Sequence, residues 1–208
     1  MGAPVPGLAS PARRPSAKGR HRKELLVSAA RELLMEHGFA AVSHRSVAER
    51  AGLPLSATTY YFSSLDDLLG EAVSGLVADW LSAAREVVEA LPARLRGTRS
   101  AATALVDLAV LGASGRSDSA PRAALVLYER YLEAARHPHL RHLVTTYDDH
   151  LERLVSEVLS RAGLPHAPAG CRMVQAVVDG ALLRALAEGR DLSTAEPVVR
   201  QALQLLSR

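Results

Sequence analysis

Residues 43–61 hold the side chains whose types suit recognition chemistry. The hydroxyls of Ser56, Thr58 and Thr59 can donate to or accept from base edges, and Leu55 suits a thymine methyl. The phenols of Tyr60 and Tyr61, and Ser43 at a helix start, suit phosphate oxygens, which set register rather than sequence. A core role is the alternative for the phenols. Adjacent aromatics on a short helix put one ring in and one out, and Phe62 already supplies a core ring. Elsewhere, His137, His139, His142 and His150 lie near Asp148 and Asp149. No cysteine is close and Pro138 bends the chain, so this run reads as a surface helix start and no metal is expected. Cys171 is a lone thiol near a helix start, read as packed rather than redox-active. There is no Gly-rich phosphate loop, nucleophile elbow or paired-carboxylate arrangement, so neither an enzyme nor a cofactor is expected.

The elements that position these residues read as helices throughout. Residues 1–20 hold four prolines and three glycines without apolar periodicity, which predicts a disordered arm. From His21, the residues Leu25, Leu26, Ala29, Ala30, Leu33 and Leu34 repeat at helical spacing to about His37, with Gly38 as the stop. Ser43 caps a short second helix closed by Gly52, and Leu53-Pro54 opens a third through Phe62. Three short helices with a tight Gly-containing turn between the last two form a helix-turn-helix pattern, in which the second short helix of the motif enters the major groove.

Ser64-Leu65-Asp66-Asp67 reads as a capping box for a long helix to about Ala90, some 26 residues or roughly 39 Å. Five further segments follow, at about 99–112, 121–136, 139–162, 168–188 and 195–207, with no strand signal. The expected fold is all-α, with about nine helices. A helix-turn-helix head (21–64) follows the arm (1–20), and a long linking helix opens a helical body (65–208).

Two body helices are apolar enough to need a partner. Segment 139–162 carries one wide stripe including Leu151, Leu154 and Val158. Segment 168–188 carries Val174, Val177, Val178, Ala181, Leu182 and Ala185, with Met173, Ala176, Gly180, Leu183 and Ala187 on a neighbouring face. A helix apolar on two sides is buried on both, which suggests a four-helix homodimer interface. A core helix of a monomer is the alternative.

Composition narrows the class. Hydrophobic residues make up 48% and charged residues 23%, ordinary for a folded globular chain. No apolar stretch approaches the ~18–20 residues of a membrane span. The start has no apolar signal core, and one cysteine forms no internal disulfide, so a soluble cytoplasmic chain is expected. The 25 basic residues are 23 Arg and 2 Lys, and Ile and Asn are absent. That composition indicates a GC-rich genome and weakens any argument from Arg counts alone. Charge asymmetry survives the discount: residues 1–62 carry a net +5 and the remainder −2. A basic head on a mildly acidic body fits a nucleic-acid-binding head or a solubilising tail. The arm's Arg13, Arg14, Lys18, Arg20, Arg22 and Lys23 read as a salt-sensitive tail in preference to a minor-groove arm.

The run from Gly38-Phe39 through Val47-Ala48-Glu49-Arg50-Ala51-Gly52-Leu53-Pro54, continued by Ser56-Ala57-Thr58-Thr59-Tyr60-Tyr61-Phe62 and Ser64-Leu65-Asp66-Asp67-Leu68, resembles the head of the TetR (tetracycline-repressor) family. The resemblance is strong over about residues 21–69. Val178-Asp179-Gly180-Ala181-Leu182-Leu183-Arg184-Ala185-Leu186 is similar to a segment of that family's dimer-forming helix. The chain departs from the pattern at Thr59, where Tyr is usual, at Leu65, where Lys is usual, and at Leu55-Ser56, where Lys-Gly is common. Aromatic contact with DNA therefore falls to Tyr60 and Tyr61.

The resemblance implies a DNA-binding regulator, usually a repressor, that binds a palindromic operator as a homodimer and is released by a small molecule. It implies a base contact from Arg45. It places the effector between the long helix and the middle helices, with Trp80, Leu105, Leu108, Tyr128, Tyr131, Tyr147 and Met173 as candidate lining residues; each is otherwise plain core packing. Two other readings stand: a helical small-molecule or metal-binding protein without specific DNA binding, and a DNA binder without an effector.

Overall fold

The structure is a computed structural model that describes residues 17–114 and 120–207. Nine α-helices and no strand occur among them: α1 Ala17–His37, α2 His44–Arg50, α3 Leu55–Tyr61, α4 Leu65–Glu89, α5 Gly97–Ser114, α6 Ala120–Arg136, α7 Arg141–Arg161, α8 Pro168–Ala187 and α9 Glu196–Leu206. None of the helices is long and apolar enough to cross a membrane.

α1 begins four residues before the expected start at His21. Residues 17–20 therefore belong to the helix and not to the arm, and the rest of the expected arm lies outside the described residues. Past Pro15 nothing forbids the helix: Ala17, Lys18 and Arg20 are good helix formers and outweigh Gly19. Leu26, Ala29, Ala30, Leu33 and Leu34 are buried and anchor the head's core. Gly38 ends α1 at φ 76°, a conformation open to glycine.

The full capping box falls on α2. The Ser43 Oγ accepts the Ser46 N–H at 3.1 Å, and the Ser46 Oγ accepts the Ser43 N–H at 2.9 Å. At α4 only half of the expected box forms. Ser64 Oγ accepts the Asp67 N–H at 3.1 Å, while the Asp67 carboxylate takes its hydrogen bond from the Ser63 hydroxyl. That bond holds the Asp67 carboxyl below its ordinary range.

α4 is the spine. It packs on α1, α5 and α7, burying Leu68, Ala72, Val73, Leu76, Val77, Trp80, Leu81, Ala84 and Val88. Between α1 and α4, Lys23 pairs with Glu71 and Arg31 with Asp79. Arg31 reaches its partner by crossing Gly75, where a Cβ would stand 3.2 Å from its Nη1. At the far end, Arg161 Nη1 donates to the carbonyls of Val88 (2.8 Å) and Leu91 (2.9 Å), which satisfies the free end of α4 and complements its dipole. α5 is the central helix of the body and touches α4, α6, α7, α8 and α9.

Candidate nucleic-acid interface and interior polar cluster

α2 and α3 meet through the turn at Gly52, whose φ is 65°. α3 then divides cleanly. Leu55, Ser56, Thr59 and Tyr60 face outward, with Leu55 53% and Tyr60 81% exposed. Arg45 and Ser43, at the start of α2, are also exposed, although the Ser43 hydroxyl is engaged in its cap. Tyr61 is half-buried and meets the Tyr60 ring edge-on at 4.9 Å, so one phenol points out and the other packs against the core.

Thr58 is the correction on this face. It is fully buried and its Oγ1 donates to the Leu55 carbonyl at 2.8 Å, so it supports the helix and reaches no base. Leu55 and Thr59 lie one turn apart on the outward face while Thr58, one residue before Thr59, turns about 100° inward, a phase that a seven-residue helix with few apolar residues does not reveal by periodicity.

Head charge is partly spent on structure. Lys23 and Arg31 pair with α4, and Arg50 makes two bonds to the Glu36 carboxylate at 2.6 and 3.0 Å. The net positive count thus overstates the charge available to phosphates, whereas Arg45 stays exposed beside α3.

The expected effector residues separate into three groups. Trp80, Tyr128, Tyr131 and Tyr147 come together in the body around Arg130, which is only 3% exposed. Its guanidinium carbon lies 4.2 Å from the ring centres of both Tyr131 and Tyr147. Its Nη2 donates to Asp148 Oδ1 at 3.1 Å, the acceptor that also takes the Tyr131 hydroxyl at 2.7 Å. Tyr128 donates to Asp179 Oδ1 at 3.1 Å, and the Trp80 and Tyr147 rings meet edge-on at 6.4 Å. Leu105 and Leu108 are core residues at 1% exposure. Met173 is 49% exposed on the outside of α8, so it lines nothing in the interior: the helix turns its other face inward.

Burial dominates the electrostatics of this cluster. It pushes the Asp179 carboxyl up to about 6 against the Tyr128 hydrogen bond and the Arg130 charge, and raises Asp148 as well. The Tyr147 phenol is pushed up to about 12 by burial, and Tyr128 and Tyr131 also rise. Two buried atoms, Tyr147 Oη and Arg130 Nε, have no hydrogen-bond partner among the described residues. Sequence reasoning missed Arg130 and Asp179 here. Both are single charges inside otherwise buried helix stripes, a signal that one-residue exceptions in a wide apolar pattern make easy to overlook.

Of the expected dimer residues, six are taken up by the chain's own core and three stay partly accessible. Leu151, Val158, Val174, Val178, Leu182 and Ala185 are all 5% exposed or less, and Leu154, Val177 and Ala181 are half-buried. The stronger apolar stripe is used by the chain's own core. The outward face of α8 is the second set, Met173, Ala176, Gly180, Leu183 and Ala187; on α9, Val198 and Leu205 are exposed. Cys171 is fully buried, its Sγ donates to the His166 carbonyl at 3.3 Å, and burial raises its pKa; proximity to a helix start does not activate it.

Comparison with known proteins places these features. Residues 26–72 match the family described as bacterial regulatory proteins, tetR family, and residues 96–207 match the tetracyclin repressor-like C-terminal domain. The HTH-type transcriptional regulator BetI of Agrobacterium fabrum is 29% identical over 165 residues, covering 78% of this chain and 76% of that protein. The multidrug binding protein EbrR, solved with proflavin, is 28% identical with a TM-score of 0.65 over 89% of this chain and 99% of its own. A transcriptional regulator from Rhodococcus sp. Rha1 shares the fold at a TM-score of 0.69 and 24% identity, over 88% of this chain and 95% of its own. With its helix-turn-helix face and its C-terminal helical body both matched, the chain belongs to the TetR family of DNA-binding transcriptional regulators.

Proposed function

We propose that the protein is a homodimeric repressor that binds a palindromic operator through α3 and releases it when a small molecule occupies the Arg130 cluster. The observation that carries this reading is the double-sided position of α6. On one side its Glu129 lies against Gly38 at the end of α1; on the other, Tyr128, Arg130 and Tyr131 hold the interior cluster. A ligand that favours one arrangement of α6 therefore biases the seating of the head, provided it binds the non-operator form better. Tyr147 Oη and Arg130 Nε, buried without a partner among the described residues, support an effector that offers them a hydrogen-bond acceptor. The bound proflavin of EbrR supports a small-molecule site in a relative. The outward apolar face of α8 supports a second copy as its occupant, since a two-fold axis would complete a four-helix bundle.

The test is displacement. Labelled DNA from upstream of the protein's own gene is bound, and a compound library is screened for loss of anisotropy. Compounds that release DNA from the parent but not from Tyr147→Phe or Arg130→Met support the reading. Compounds that release both equally act elsewhere and contradict it.

A further inference from the structure

We propose that Asp66, His137 and His139 form a site for a divalent transition-metal ion of the zinc, cobalt or nickel class. The three residues come from distant parts of the chain. Asp66 lies in the first turn of α4, directly after the α3 exit, while His137 and His139 form the corner between α6 and α7. Their donor atoms all lie within 4.8 Å of one another. His137 Nδ1 stands 3.6 Å from Asp66 Oδ1, and His139 Nδ1 stands 3.7 Å from Asp66 Oδ2. Two ligands held at ~2.0–2.2 Å by one tetrahedral ion are about 3.3–3.6 Å apart; each imidazole stands near that spacing from one of the two Asp66 oxygens, and the exposed side chains have room to converge on one ion. Hydrogen bonds between these pairs would be shorter.

Chemistry and access agree with the spacing. Two imidazoles with one carboxylate suit zinc-class ions and leave a coordination position for water. His137 Nε2 faces Glu133 Oε2 at 3.5 Å, the arrangement in which a carboxylate orients a ligating imidazole through its other nitrogen. The His137 and His139 rings sit edge-on at 5.9 Å, converging on the carboxylate without stacking. A groove of about 760 Å³ lined by Asp66, His139 and His142 opens the site to solvent. The neighbouring His150 and Asp149 take no part, and no sequence spacing links Asp66 to the two histidines. An ion here ties the first turn after the recognition helix to a corner of the body.

Untagged, chelator-treated full chain titrated with Co²⁺ tests the proposal without reference to DNA. The expected result is one Co²⁺ per chain with visible bands of a four-coordinate ion, displaced by Zn²⁺. Affinity drops at least ~10-fold in His137→Ala/His139→Ala and in Asp66→Asn, and about 10-fold in Glu133→Gln. His150→Ala binds as the parent does. All three ligand side chains are more than a third exposed, so circular dichroism of the variants matches the parent. Absence of the bands in the parent, or equal Co²⁺ affinity in parent and double variant, overturns the site.

Discussion

Glu129 on α6 lies against Gly38 at the end of α1: a Cβ on that glycine would stand 3.0 Å from the Glu129 Oε2. The contact joins the head to the helix that holds the interior cluster. Gly38 also has φ 76° and ψ −177°, a combination that is essentially restricted to glycine. Gly38→Ala therefore combines strain with displacement of Glu129. The expected cost is about 1–3 kcal/mol. At roughly 2–4 °C per kcal/mol for a chain of this size, thermal unfolding moves down by several degrees. An unchanged melting temperature would contradict the contact.

Asp179 supplies a pH signature. Its carboxyl is raised by burial from 3.8 to about 6. Across that window the folded chain keeps a proton that the unfolded chain releases, so the group's stabilising contribution is full below about pH 4 and is lost as pH rises through about 6. Asp179→Asn retains an acceptor for Tyr128 but no longer titrates. Relative to the parent, the variant gains stability as pH rises from about 4 to above 6, by up to about 3 kcal/mol. Urea unfolding at several pH values checks this, and parallel profiles would contradict a buried, titrating Asp179.

Thr58 and its neighbours separate support from recognition. Thr58→Val removes only the buried bond to the Leu55 carbonyl and costs about 1 kcal/mol of stability. Selection of bound sites from random DNA should return the same sequence for variant and parent. A changed site would put Thr58 at a base edge.

Much of this architecture is legible in the sequence. The apolar stripes of α1 and α4, the stops at Gly38 and Gly52 and the cap at Ser43 are local signals, and each forms as the spacing predicts. Long-range choices are not local. Two apolar faces on α8 do not say which meets the chain's own core, and the stronger one does so. Nor does any spacing bring Arg130, Asp148 and Asp179 together; that requires α6, α7 and α8 to pack. Asp66 meets His137 and His139 for the same reason, from about seventy residues away in the chain, while Asp148 and Asp149 take no part.

The outward α8 face makes its own prediction. Leu183 is 43% exposed and lies on that face, so Leu183→Arg leaves the monomer fold intact. Sedimentation velocity should show the parent as a dimer and the variant as a monomer, because a charge buried without a partner at a symmetric interface appears twice. A variant that remains dimeric would place the interface elsewhere.

Direct titration of DNA reaches the central claim, that the outward side of α3 reads the operator. DNA from upstream of the protein's own gene is titrated with full chain by fluorescence anisotropy at two salt concentrations, beside Thr59→Ala/Tyr60→Ala. Both side chains are exposed, so the variant folds. Saturable binding by two protomers, weakened about ten- to a hundredfold in the variant, is the predicted result, since bonds to charged phosphates are worth ~1.5–3 kcal/mol each. Binding that is weak, indifferent to sequence and equal in parent and variant would contradict the account.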